Sequence, residues 1–80
     1  MSEYISNNAM IYAILALDGE IGLQKDYLES GDVPDDDRED EEGVLTDLEQ
    51  ALMEFIEVYK KRAKTDKTLP SIEDLLTPPQ

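Results

Sequence analysis

Twenty carboxylates, and no histidine or cysteine, set what chemistry this 80-residue chain could do. Without histidine the usual general base near neutral pH is missing, and without cysteine so is the best side-chain nucleophile. Carboxylates remain, either as acid–base pairs or as ligands for hard cations. Acid–base work needs a carboxyl group taken out of water so that its pKa rises. The acids here crowd a stretch that reads as solvated. A calcium loop beginning at Asp26 would put Gly31 at the required sixth position, but Leu28 stands where a ligand is needed and Ser30 is a weak substitute. Between Asp35 and Glu42, weak and nonspecific binding of divalent cations is expected in place of a built site. No catalytic residue, cofactor site or metal site is assigned, and the chain reads as a non-enzyme.

One pairing of acids resembles a known active site. Glu41, Glu42, Glu54 and Glu57 are similar in arrangement to the glutamates that all-helical nucleotide pyrophosphohydrolases set in pairs on neighbouring helices to hold magnesium. Leu45 stands at the third acidic position and no phosphate-holding base lies nearby, so the magnesium chemistry of that family is not carried over. No glycine-rich phosphate loop is present. The bases from Lys60 to Lys67 have only Tyr59 as an aromatic neighbour and read as a solvated helix end.

The charge is distributed unevenly. The chain carries a formal −13, and the segment from Asp26 to Glu57 holds fourteen acids against Arg38 alone, while the rest is neutral. Direct binding to nucleic acid is disfavoured, because such a surface repels phosphate over a distance that salt only partly screens. The same repulsion turned outward suits a protein with a basic, nucleic-acid-binding surface. Asp40, Asp47 and Glu54 recur every seven residues, about 10 Å apart on a helix, with Glu42, Glu49 and Glu57 beside them. Asp35, Asp36, Asp37, Glu39 and Glu41 add density at one end. In size and charge the chain is similar to the small phage and mobile-element inhibitors that mimic DNA against restriction, CRISPR and repair machinery. The alternative is a helical interaction module, such as an assembly chaperone, antitoxin or immunity-type protein, that works through apolar faces. A blander reading makes the acids a solubilising coat.

The elements that must position these residues are helices. The spacing of Ile11, Ile14, Leu15, Ile21 and Leu28, with Ala9, Ala13 and Ala16, predicts a helix over about 4–30, open to a break near Asp18-Gly19. Ser30, Gly31 and Pro34 stop it. An acidic loop is expected over about 31–42, where like charges repel. Val44, Leu45, Leu48, Leu52, Phe55, Ile56 and Tyr59 form one apolar stripe, which predicts a second helix over about 43–64, its acids early and its bases late as the helix dipole favours. A short helix over about 71–76, capped by Ser71, brings Ile72, Leu75 and Leu76 back toward the core.

The expectation is an all-α protein, a helical hairpin of two long helices plus a short C-terminal helix. At this length a chain buries only about 60–65% of its unfolded surface, and neither a disulfide nor a zinc site can staple it. The first helix is apolar on several sides between Ala9 and Leu17, more than one partner helix covers. A homodimer in which two hairpins form a four-helix bundle would cover it, with Ile11, Ile14, Leu15, Leu48, Leu52, Phe55 and Tyr59 as the dimer and core residues. A three-helix monomer closed by the tail is the alternative. The run from Ala9 to Leu17 is far short of the roughly 20 residues that span a bilayer, and no basic leader precedes it. No membrane association is expected, and the chain reads as soluble and intracellular.

Overall fold

The computed structural model describes residues 5–76. Helix α1 spans Asn7–Glu29, α2 spans Asp35–Thr65 and α3 spans Ile72–Leu76. The chain is all-α, a hairpin of two long contacting helices with a short third helix at the end.

Helix α1 begins at Asn7 because Ser6 caps it: the Ser6 Oγ accepts from the Ala9 amide at 3.0 Å, satisfying one of the four unpaired N–H groups of a first turn. The expected start at about residue 4 is therefore too early, since Ile5 and Ser6 are not helical; Tyr4 itself lies outside the described residues. The helix runs unbroken through Gly19 and Gly22. It ends where the sequence signals, with Gly31 in the left-handed region at φ +82°, a conformation that costs glycine nothing. The Ser30 hydroxyl donates to the Tyr27 carbonyl at 2.6 Å and accepts from the Asp32 amide at 3.1 Å, which closes the turn.

The acidic segment is the main departure from expectation. From Asp35 to Glu42 the chain is not a loop but the opening of α2, a 31-residue helix. Self-repulsion argued for a loop, and three local effects oppose it. Pro34, with φ −58°, feeds the helix from a restricted backbone. Asp35, Asp36 and Asp37 fill the first turn, where unpaired N–H groups and the helix dipole favour negative charge. Arg38 then pairs with Glu42 one turn on, at 3.7 Å. At the far end Arg62 and Lys64 sit in the last turn, where the dipole favours cations.

The two helices lie antiparallel. Gln24 Nε2 donates to the Glu41 carbonyl and to Glu41 Oε1, both at 2.9 Å. At the opposite end Arg62 donates to the Ile5 carbonyl at 2.6 Å and to Asn7 Oδ1 at 3.1 Å, and Asn7 reaches Asp66 at 3.4 Å. Between these ties sits a thin core. Met10, Ile14 and Tyr59 are buried, with Ile11, Leu52, Phe55, Leu69, Ile72, Leu75 and Leu76 packed against them. Ile21 and Val33 are buried toward the turn. The tail therefore folds back as a packing element, with Ser71 Oγ capping α3 through the Asp74 amide at 3.1 Å. The expected end of the tail helix, at about residue 76, falls at the edge of the described residues.

Of the expected core residues, Ile14 and Tyr59 are fully buried, and Ile11, Leu48, Leu52 and Phe55 are half-buried. Leu15 is not part of the core. It is 38% exposed, because the buried side of α1 follows Met10, Ile14, Leu17, Ile21, Gln24 and Leu28, and Leu15 lies about 140° round the helix from that stripe. No helix among the described residues is long and apolar enough to cross a membrane.

Candidate functional site

Because α2 starts at Asp35, the acids expected in a loop and those expected on a helix stand on one rod. Its inward side is set by Leu45, Leu48, Leu52, Phe55 and Tyr59, which are half-buried or buried. Helical periodicity then sets Asp36, Asp40, Asp47 and Glu54 along one flank of the rod, about 95–135° round from that inward side and about 27 Å from first to last at 1.5 Å per residue. Glu39 and Glu57 stand beside them on the outermost side, Glu42 and Glu49 lie on the other flank, where Glu49 faces Lys25 of α1, and all eight are exposed. Asp35 and Asp37 are exposed in the first turn, and Glu41 is half-buried against α1.

Few bases neutralise this face. Glu42 meets Arg38 at 3.7 Å and Glu49 meets Lys25 at 3.9 Å. Both pairs are solvent-exposed, a setting in which an ion pair contributes about 0–1 kcal/mol. Among the described residues the carboxylates of Asp36, Asp40, Asp47, Glu54 and Glu57 have neither an ion pair nor a hydrogen bond. They are available to an outside cation. Their spacing does not converge on a point: among the described residues no group of three or more acids is placed to hold a metal ion. Glu41, Glu42, Glu54 and Glu57 all lie on α2 itself, so they do not face each other across two helices as the pyrophosphohydrolase glutamates do.

The charge reverses beyond Glu57. Lys60, Lys64 and Lys67 line a shallow cleft with Tyr59, Ser71 and Ile72, where α3 returns to α2. The Tyr59 hydroxyl is spent on structure, donating to the Pro70 carbonyl at 2.6 Å. Burial, and secondarily the charge of Asp66, push its pKa above the usual phenol value. Asp66 is held below the usual carboxylate range, chiefly by the Thr68 hydroxyl and amide, which donate to it, and further by Asn7. A second groove, between Asp18, Ile21 and Lys25 of α1 and Glu49, Leu52 and Met53 of α2, is open and mostly apolar.

Sequence reasoning missed Arg38 as a structural residue. It reads as a stray base in an acid run, yet it donates to the Leu28 carbonyl at 3.2 Å and so supplies the cation that the last turn of α1 lacks. Its position four residues before Glu42 was the available signal. The exposed apolar residues of α1 were also hidden, since periodicity alone does not say which side of an apolar helix meets α2. Tyr12 and Leu23 are each 65% exposed.

Comparison with protein-family models, with curated proteins and with solved structures finds no match for this chain.

Proposed function

We propose that the outward face of α2 docks into the basic groove of a nucleic-acid-binding protein, so that the chain acts as an inhibitor in place of DNA or RNA. The observation that carries this reading is the continuity of α2 from Asp35 to Thr65. A floppy acidic loop loses conformational entropy when captured, whereas a helix holds its carboxylates in register beforehand. Asp40, Asp47 and Glu54 rise about 10 Å apiece, sparser than the phosphates of one DNA strand at about 3.4 Å, and Asp36, Glu39 and Glu57 beside them add to the density. The face is also open and uncovered by α3.

Two copies of the hairpin act together in this reading, paired into the assembly of four long helices that the thin core calls for. Such a pair presents two acidic rods, which suits a symmetric or two-lobed basic target.

The test is affinity capture on the immobilised protein from extract cleared of nucleic acid, followed by elution with duplex DNA or with structured RNA. The proposal predicts that captured protein is released by the nucleic acid its groove normally holds. Captured protein that neither nucleic acid displaces, and that also binds an Asp40→Asn, Asp47→Asn, Glu54→Gln variant equally well, contradicts it.

A further inference from the structure

The geometry points to the outward stripe of α1 as the surface on which a second copy of this chain packs, antiparallel, with Ala16 against Gly19 of the second copy and Tyr12 against its Leu23. This rests on the paired reading above and names its contact.

The buried stripe of α1 fixes the direction of α2, and the opposite side carries Tyr12, Ala16, Gly19 and Leu23, spaced four, three and four residues apart, all exposed. That is the seam spacing of one helix against another. None of the four is charged. Read along the stripe, the sizes run large, small, small, large. A two-fold contact must be self-complementary, so that if residue i meets residue j, j meets i. Antiparallel pairing centred between Ala16 and Gly19 satisfies this at every position, with the bulky ends over each other and the small residues where the backbones come closest.

The exposure of the bulky ends is the second observation. Tyr12 and Leu23 are each 65% exposed, apolar surface that a partner helix would cover, and Gly19 between them leaves room for that helix to come close, since nothing in the chain lies within 4 Å of where its Cβ would stand. The exposed area agrees. The chain exposes 6092 Å², whereas a compact monomer of its mass exposes about 4,900 Å². The excess is larger than the roughly 800 Å² that each partner gives to a standard interface. The radius of gyration, 15.3 Å, likewise exceeds the roughly 12 Å of a compact domain this long.

Charge selects which face a second copy can use. Two chains of −13 each repel, and contact through α2 would bring their carboxylates together. Pairing through α1 places both α2 rods outside, with two helices of about 10 Å diameter between them, well beyond the roughly 8 Å screening length of physiological salt.

Sedimentation equilibrium at 0.15 M and 0.5 M salt tests the inference, with circular dichroism to check that each variant keeps its helix content. The expected result is a particle of twice 9.1 kDa at both salt concentrations. Ala16→Glu, a helix-compatible change at an exposed position, halves that mass at unchanged helicity, and Met53→Glu, in the groove between α1 and α2, leaves it doubled. Mixing Ala16→Glu with Gly19→Lys restores the dimer, because those positions face each other. A wild-type monomer overturns the paired reading altogether. A dimer that survives Ala16→Glu and is lost with Met53→Glu, or that dissolves in 0.5 M salt, overturns only the α1 contact.

Discussion

Arg38 of α2 donates from its guanidinium to the backbone carbonyl of Leu28, in the last turn of α1, at 3.2 Å. The one base within the acid-rich middle of the sequence is therefore where the acidic helix is anchored. It satisfies a carbonyl left free at a helix end and brings positive charge to the negative pole of α1, which has no base of its own in its last turn. Its contact with Glu42 spans the next turn of α2.

Replacing Arg38 with Gln removes that anchor. Hydrogen bonds made by charged groups contribute about 1.5–3 kcal/mol when buried, and less at a half-exposed site such as this one. The expected loss is about 1 kcal/mol of unfolding free energy by urea titration, with faster amide exchange over Asp35–Glu42 than over the rest of α2. Uniform exchange along α2 in the variant would remove Arg38 from this role.

Gly43 reports whether the acidic turns and the apolar stripe belong to one helix. It is exposed, and an added Cβ meets nothing within 4 Å. Gly43→Ala should raise stability by about 1 kcal/mol, the difference in helix propensity, read as a higher urea midpoint. A neutral or destabilising result would mean that the helix starts after this position.

Tyr59 ties the tail to α2, since its hydroxyl reaches Pro70 at 2.6 Å from a fully buried ring. Tyr59→Phe should cost about 1 kcal/mol, the net worth of such a bond, and loosen α3. The phenol's raised pKa gives a signed pH dependence. The folded state favours the neutral form, so its stabilisation is complete below the unfolded value of about 10. It is lost as pH climbs through the folded value. Absorbance titration of the tyrosinate band should show a late phenol that Tyr59→Phe removes.

Asp66 gives the opposite sign. Its pKa is lowered by Thr68, with a smaller contribution from Asn7. Its stabilisation is present above the ordinary carboxylate range and disappears as pH falls through the lowered folded value. The stability difference between the wild type and Asp66→Asn should therefore shrink on acidification, in urea titrations compared at neutral and acidic pH. A difference that stays constant with pH would mean that the carboxylate charge is not what Thr68 and Asn7 hold.

The hairpin was legible because its signals are local and strong. The stripe from Leu45 to Tyr59 has helical period, Gly31 and Pro34 punctuate the turn, and Ser71 caps the tail helix. The start of α2 was misjudged because repulsion among Asp35 to Glu42 is visible in the sequence, whereas its compensation is partly tertiary. The bond from Arg38 to Leu28 and the one from Gln24 to Glu41 need the other helix in place. The ladder of Asp40, Asp47 and Glu54 was legible as spacing, but its place on one flank of α2, with Glu42 and Glu49 on the other, depends on which side of α2 meets α1. Leu15 failed for the same reason on α1, whose N-terminal half is apolar on several sides, so that composition does not single out the buried one.

The most direct test of the acidic face is calorimetric binding of a captured basic partner to the wild type and to Asp40→Asn, Asp47→Asn, Glu54→Gln, at 50 mM and 200 mM salt. The account predicts that wild-type affinity falls at least about tenfold over that range, as ionic contacts do, and that the triple variant binds at least about tenfold more weakly at low salt while losing much of the salt dependence. Equal affinity of the two proteins at both salt concentrations would contradict it.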